Sequence, residues 1–239
     1  MYRNWLRVLV VFACVASGML AIAKAFASER KLEGTVVKVV DGDTLHFRTA
    51  DARPKAPNLR IRMVGVDTPE LHVVTRKGVM GQGYWGKTAA KYLYKLTPPG
   101  ADVILLSQGL DKYGRVLGRV FFEKHDVNLQ LLKAGWAVPY LICSGTACDK
   151  GFFKRERVAQ YLEACHEARE NGKGVFDPRK PLKEMPFEFR LRVMNRKPDK
   201  WVGDITNQKL YDPSEYKKVD VCNRIFFLER DEANNVGFH

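Results

Sequence analysis

Arg62-Met63-Val64-Gly65-Val66-Asp67-Thr68-Pro69-Glu70 puts one guanidinium and two carboxylates within nine residues. Arg62, Val64 and Val66 alternate with Ile61, Met63 and Gly65, so the stretch opens as a strand at period two. Pro69 cannot donate to a sheet ladder, and the chain must therefore leave the sheet at Asp67-Thr68. Asp67 and Glu70 sit where a strand becomes a loop, on a rigid support, placed to hold a hard cation or steer a water. Taken alone, the same residues read equally well as an exposed acidic turn after an edge strand.

Working outward, Glu33 to Val40 is a β-branched run that reads as a strand, Asp41-Gly42 marks a tight turn, and Asp43 to Arg48 returns as a second strand. Residues 49–58 read as a solvated loop, and Leu59 to Val66 completes a meander. A Gly-rich loop spans 72–86. Trp85 to Leu96 has helical spacing, with Ala89, Tyr92, Leu93 and Leu96 on one face, and Thr97-Pro-Pro-Gly100 stops it. Strands follow over Asp102–Ser107 and Val116–Glu123, joined by a turn at Leu110–Arg115. Asp126 or Asn128 caps a short helix that ends at Gly135, and Lys154 to Arg169 forms a second long amphipathic helix. Five strands with a helix after the third predict an α+β class: a five-stranded OB-like β-barrel with about three helices over residues 28–176. Pro178, Pro181, Pro186 and Pro198 make 177–198 read as a linker. Residues 199–239, with a strand at Asn223–Leu228, read as a small C-terminal module.

The 239 residues are 46% apolar, ordinary for a folded chain, but the formal charge of +13 is not. Such a balance points to a polyanionic partner, nucleic acid or anionic lipid. Residues 28–176 hold 24 Lys and Arg against 16 Asp and Glu, a net of +8; residues 177–239 hold 13 against 11. The basic excess therefore lies with the expected barrel. Residues 1–27 read as an export signal, with Arg3 and Arg7 before an apolar run and Ala25-Phe-Ala27 as the cleavage site. An uncleaved membrane anchor is the alternative. Export makes disulfides permissible, and Cys143 with Cys148 brackets a short turn-rich loop, the expected pair. No second Cys or His pair has zinc spacing, and the five histidines are scattered.

Asp41 and Asp43 on the first turn, with Asp67 and Glu70 after the third strand, form a plausible set of oxygen ligands for Ca²⁺; Mg²⁺ or Mn²⁺ would accept the same donors. Arg62 and Arg115 suit a phosphate, since each presents a planar fork of donors. A carboxylate not used by a metal could orient or deprotonate a water. Cation, water and arginine clamp are the parts that phosphodiester hydrolysis needs.

Gly34-Thr-Val-Val-Lys-Val-Val-Asp-Gly-Asp-Thr44, Arg62 to Glu70 and Asp111-Lys-Tyr-Gly-Arg115 together, in this order, resemble the staphylococcal nuclease family over roughly residues 33–176. The resemblance implies an OB-like barrel that hydrolyses DNA and RNA with Ca²⁺. By it, Asp43 and Asp67 hold the metal with the Thr68 carbonyl alongside, and Asp41 stands behind them. Glu70 activates the water, Arg62 and Arg115 bind the scissile phosphate, and Tyr113 and Tyr140 touch the nucleotide. The tail weakly resembles a module that often carries metal-binding cysteines. It has Cys222 alone, so no metal is expected there. The expected protein is a monomer acting on nucleic acid, secreted or periplasmic, or anchored facing outside if residues 1–27 remain. A non-catalytic nucleic-acid-binding barrel and a membrane-anchored interaction protein are the competing readings.

Overall fold

A computed structural model describes residues 29–143 and 154–239. The expected export signal and its cleavage site lie outside the described residues, and so does Cys148 of the expected Cys143–Cys148 pair. Strands β1 (Arg30–Val39), β2 (Thr44–Thr49) and β3 (Leu59–Met63) form the meander. Two three-residue strands follow β4 (Gly65–Asp67): β5 (Val73–Thr75) and β6 (Gly78–Met80). Helix α1 (Tyr84–Leu96) leads to β7 (Asp102–Leu110) and β8 (Val116–Phe122). β7 pairs with β1, β8 with β7, and β8 closes the circle by a parallel pairing with β3, giving a five-stranded barrel. Its interior is filled by the inward residues of each strand, among them Val36, Phe47, Ile61, Met63, Leu105 and Val120. The α+β, OB-like fold is therefore as the strand count implied.

The short β9 (His125–Asp126) ends in α2 (Val127–Lys133), where the Asp126 carboxylate accepts the Leu129 amide at 3.1 Å as the helix cap. Asn128, the other candidate cap, is instead fully buried. Its Oδ1 accepts the Val120 amide at 3.1 Å and its Nδ2 donates to the Val64 carbonyl at 2.8 Å, tying α2 to the barrel. β10 (Val138–Cys143) and α3 (Arg155–Glu170) follow.

Three sequence expectations are corrected. The third strand does not run to Val66: Gly65, at φ 74°, turns the chain, and β4 leaves the barrel to pair antiparallel with β10. The Gly-rich stretch after Glu70 is not all loop, because β5 and β6 form a hairpin with Arg76 and Lys77 at its tip. Residues 177–198 are not an open linker. They carry helix α4 (Pro186–Val193), with Pro186 in its first turn, where no amide is required.

The C-terminal residues do not stand apart. β11 (Trp201–Asp204), β12 (Lys209–Tyr211) and β13 (Arg224–Phe227) join β10 and β4 in one sheet, with order β12-β11-β13-β10-β4. β13 runs parallel to β10 and is buried on both faces, as its unbroken Ile-Phe-Phe run demands. Ile225 and Phe227 enter the barrel core, and Phe226 enters a second cluster with Phe187, Val202 and Tyr216. Cys165 on α3 is bonded to Cys222 across 57 residues, and a short α5 (Arg230–Asn234) closes the chain.

Candidate active site

The β1–β2 turn, the loop after β4 and α1 meet at one end of the barrel. Register places Thr44 opposite Arg62 across β2 and β3, which brings the turn carrying Asp41 and Asp43 beside the Arg62 side chain. Gly42 lies so close to Thr68 that a Cβ would meet its Oγ1 at 2.5 Å. Gly86 on α1 approaches the Glu70 carbonyl as closely, at 2.4 Å from where its Cβ would be. Larger residues at either position would push the two acidic loops apart.

Asp43 Oδ2 accepts the Thr68 amide at 2.9 Å and its hydroxyl at 3.1 Å, and pairs with Arg62 Nη1 at 2.7 Å. Arg62 Nη2 reaches Asp67 Oδ1 at 3.1 Å. Asp67 has no solvent exposure. Asp41 accepts the Asp43 amide at 3.0 Å and stands behind it. The Glu70 amide donates to Gln82 Oε1 at 3.0 Å, and Gln82 Nε2 donates to the Glu184 carbonyl at 2.7 Å. Glu70 is thus fastened to the segment that leads into α4.

A residue that sequence reasoning missed completes the cluster. Arg190, on α4, pairs with both Asp67 oxygens, Nη1 to Oδ1 at 2.6 Å and Nη2 to Oδ2 at 2.9 Å, and its Nη1 also meets Glu70 Oε1 at 2.6 Å. The signal available was Pro186 followed by Phe187 and Leu191 at helical spacing, which puts Arg190 on the same helix face.

Burial pushes the Asp67 and Glu70 carboxyls above their ordinary range, while Arg190 pulls each back. Asp41 is pushed up to about 7 by burial and by the Asp43 charge. Burial works against the Arg190 charge, but Asp67 and Glu70 outweigh it and hold the guanidinium firmly protonated.

Of the remaining expected residues, Tyr140 stands beside Arg190, while Tyr113 and Arg115 lie in the turn between β7 and β8. Arg115 pairs with Asp111 at 2.7 Å rather than with the acids. It immediately precedes β8, whose Leu117 sits opposite Arg62 across the parallel β3–β8 pairing. Tyr113 is exposed, with the Lys112 ammonium 5.2 Å and the Arg115 guanidinium 5.6 Å from its ring. Tyr140 packs on Phe187 and Phe226, with Arg190 5.5 Å from its ring, and burial raises its hydroxyl to about 12.

The donors here, carboxylates with the Thr68 carbonyl in the loop beside them, are those of a hard cation. Among the described residues no three His, Cys, Asp or Glu side chains converge as a metal cage; the Asp67 and Glu70 oxygens are turned onto guanidiniums instead.

The family described as "Staphylococcal nuclease homologue" matches residues 60–177. The chain is 36% identical over 216 residues to "Endonuclease YhcR" of Bacillus subtilis, covering 89% of this chain and 17% of that protein. It is 28% identical to "Probable endonuclease LCL3" of Uncinocarpus reesii, covering 72% of this chain and 62% of that one. To an "Uncharacterized endonuclease" of Haemophilus influenzae it is 28% identical, over 68% of this chain and 75% of that protein. The chain thus spans under a fifth of YhcR and about three fifths of LCL3. The share of this chain matched by YhcR is too large to stop at residue 177, so the likeness runs on through α4. Asp41 and Asp43 precede the family segment. Through that segment, which carries Arg62, Asp67, Glu70 and Arg115, the chain belongs to the staphylococcal nuclease family.

Proposed function

We propose that this chain is an exported nuclease that hydrolyses phosphodiester bonds of DNA or RNA, with Ca²⁺ held by Asp43, Asp67 and the Thr68 carbonyl. Mg²⁺ or Mn²⁺ suit the same oxygens. The observation that carries this reading is the meeting of Asp43, Asp67, Glu70 and Arg62 in one cradle on a barrel of the nuclease family. The names of the relatives, endonucleases all three, support it.

Each side chain has a part. Arg62 on β3 and Arg115 just before β8 offer two forks to a phosphate and to the charge that builds on it. Glu70 has a carboxyl that burial makes more basic, suited to orient a water and take its proton. The bound cation supplies positive charge that polarises the phosphate and acidifies a water. Asp41 stands behind Asp43 and orients its backbone. Tyr113, exposed between two cations, suits contact with a nucleotide, and Tyr140 lines the cradle beside Arg190. Export, secreted or periplasmic, is supported by residues 1–27 and by the Cys165–Cys222 disulfide, which suits an oxidising compartment.

Single- and double-stranded DNA and RNA digested by the purified protein with Ca²⁺ or with EDTA test the reading. Cation-dependent cleavage is expected, and Glu70→Gln should lower kcat by about 10²- to 10⁴-fold. A protein that binds nucleic acid but never cleaves it would put a non-catalytic binding barrel in place of the enzyme.

A further inference from the structure

Arg190 is used by none of the roles above, yet it makes the tightest contacts in the cradle. Its fork spans both oxygens of Asp67, and one of its nitrogens also meets Glu70. Arg62 shares Asp67 Oδ1, so two guanidiniums converge on one carboxylate oxygen. Such a pair of forks is what a phosphate, with its several oxygens, would meet if it stood in the carboxylate's place. The Arg190 side chain is partly open to solvent at 24%, whereas Asp67 beneath it is at 0%.

Its position is fixed from behind. Phe187, one turn earlier on α4, packs against Tyr140, Tyr216 and Phe226 with ring centroids 5.2–5.5 Å away. Gln82 ties the Glu70 amide to the Glu184 carbonyl two residues before α4. The helix is anchored, and the Arg190 fork at its face is held by the two carboxylates. A guanidinium and a divalent cation cannot both occupy the same carboxylate lone pairs, and both carry positive charge into one small volume.

We propose that Arg190 is a substrate-phosphate ligand of this site, supplied from outside the family segment and parked on Asp67 and Glu70 until cation and phosphate arrive together. The inference rests on the nuclease reading above. Cation entry frees the guanidinium, and the substrate phosphate gives it a new partner. Cation and phosphate therefore help each other bind, by linkage in both directions.

Calcium titrations followed by calorimetry, on the full chain, with and without a deoxynucleoside 5′-monophosphate, test this. That probe offers a phosphate but no diester to cleave. The parent protein should bind Ca²⁺ about 10-fold more tightly when the nucleotide is present, a usual size for coupling between sites. Arg190→Met should bind Ca²⁺ alone about 10-fold more tightly than the parent, bind nucleotide more weakly, and lose the coupling. Arg190→Lys keeps the charge but not the fork. It should fall between the two, and it carries the test alone should the methionine variant fail to fold. If the variants bind Ca²⁺ with the parent's affinity while the parent still cleaves nucleic acid, Arg190 is not a parked ligand and the nuclease reading stands. If the parent neither binds Ca²⁺ in either state nor cleaves, the nuclease reading fails and this inference with it.

Discussion

Asp41 accepts the Asp43 amide on the β1–β2 turn and has no ion pair of its own among the described residues. Burial, then the Asp43 charge, push it up to about 7, with Arg62 pulling back and Glu70 pushing further. In the metal-free protein the folded state thus holds a proton that the unfolded chain releases near pH 4. The stability linked to Asp41 is fully present below about pH 4 and is lost as pH rises through 7. It amounts to at most about 4 kcal/mol, since every tenfold difference in proton affinity between the folded and unfolded chain is worth about 1.4 kcal/mol. Urea unfolding in EDTA should therefore show stability falling between about pH 4 and 7, and Asp41→Asn should flatten that slope. A parent profile that is already flat would rule the assignment out. Asp41, Asp43, Arg62, Asp67 and Glu70 were all legible in the sequence because each belongs to a local turn or strand end with its own signature. Arg190 was not, because the carboxylates that define it lie 120 or more residues away.

At the scale of elements, two devices shape the cradle. The first is the break at Gly65, which releases β4 from the barrel and sets Asp67 opposite Val138 of β10. The second is the covalent tie from α3 to the C-terminal segment, Cys165 to Cys222. A cross-link over 57 residues removes disorder from the unfolded chain worth about 4 kcal/mol on the loop-closure account. Replacing both cysteines by serine should lower Tm by roughly 10 °C, at about 2–4 °C per kcal/mol for a protein of this size. Thermal melts of parent and variant check it; a shift of a degree or less would mean that packing alone holds the segment. The pairing could not be read from spacing, because a short bracketed loop was the stronger local cue and connectivity is a tertiary property. α4 was hidden in a similar way. Four prolines gave residues 177–198 the texture of a linker, although Pro186 is where a helix tolerates one.

The molecule as a whole is more unified than its texture along the chain suggests. β13 lies between β10 and β11, and its two faces feed two different cores. A protein cut at residue 177, where the family segment ends, would expose one edge of β10 and strip Ile225, Phe227 and Phe238 from the barrel core. Unpaired edges and bare apolar surface drive association. Residues 28–177 alone should therefore express as aggregate or as a molten species, while the full chain elutes as a discrete folded protein. Gel filtration and near-ultraviolet circular dichroism distinguish the two. A truncated protein that is monomeric and sharply folded would show that the second sheet is an accessory to the barrel.

The count of hairpins and the place of the helix along the chain favoured the barrel over other α+β arrangements. Period-two runs, an Asp-Gly turn and a helix after the third strand are local patterns, and local patterns are set by sterics and by which face must be buried. The sequence also determined the family-segment candidates for acid and arginine, since those residues stand on the turns that the same patterns mark. Only the tertiary structure decided what closes over them. Whether a charged residue on a late helix meets a carboxylate near residue 67 depends on the docking of α4 and on the parallel pairing of β13 with β10. Those contacts form between distant parts of the chain, and no local preference encodes their partner.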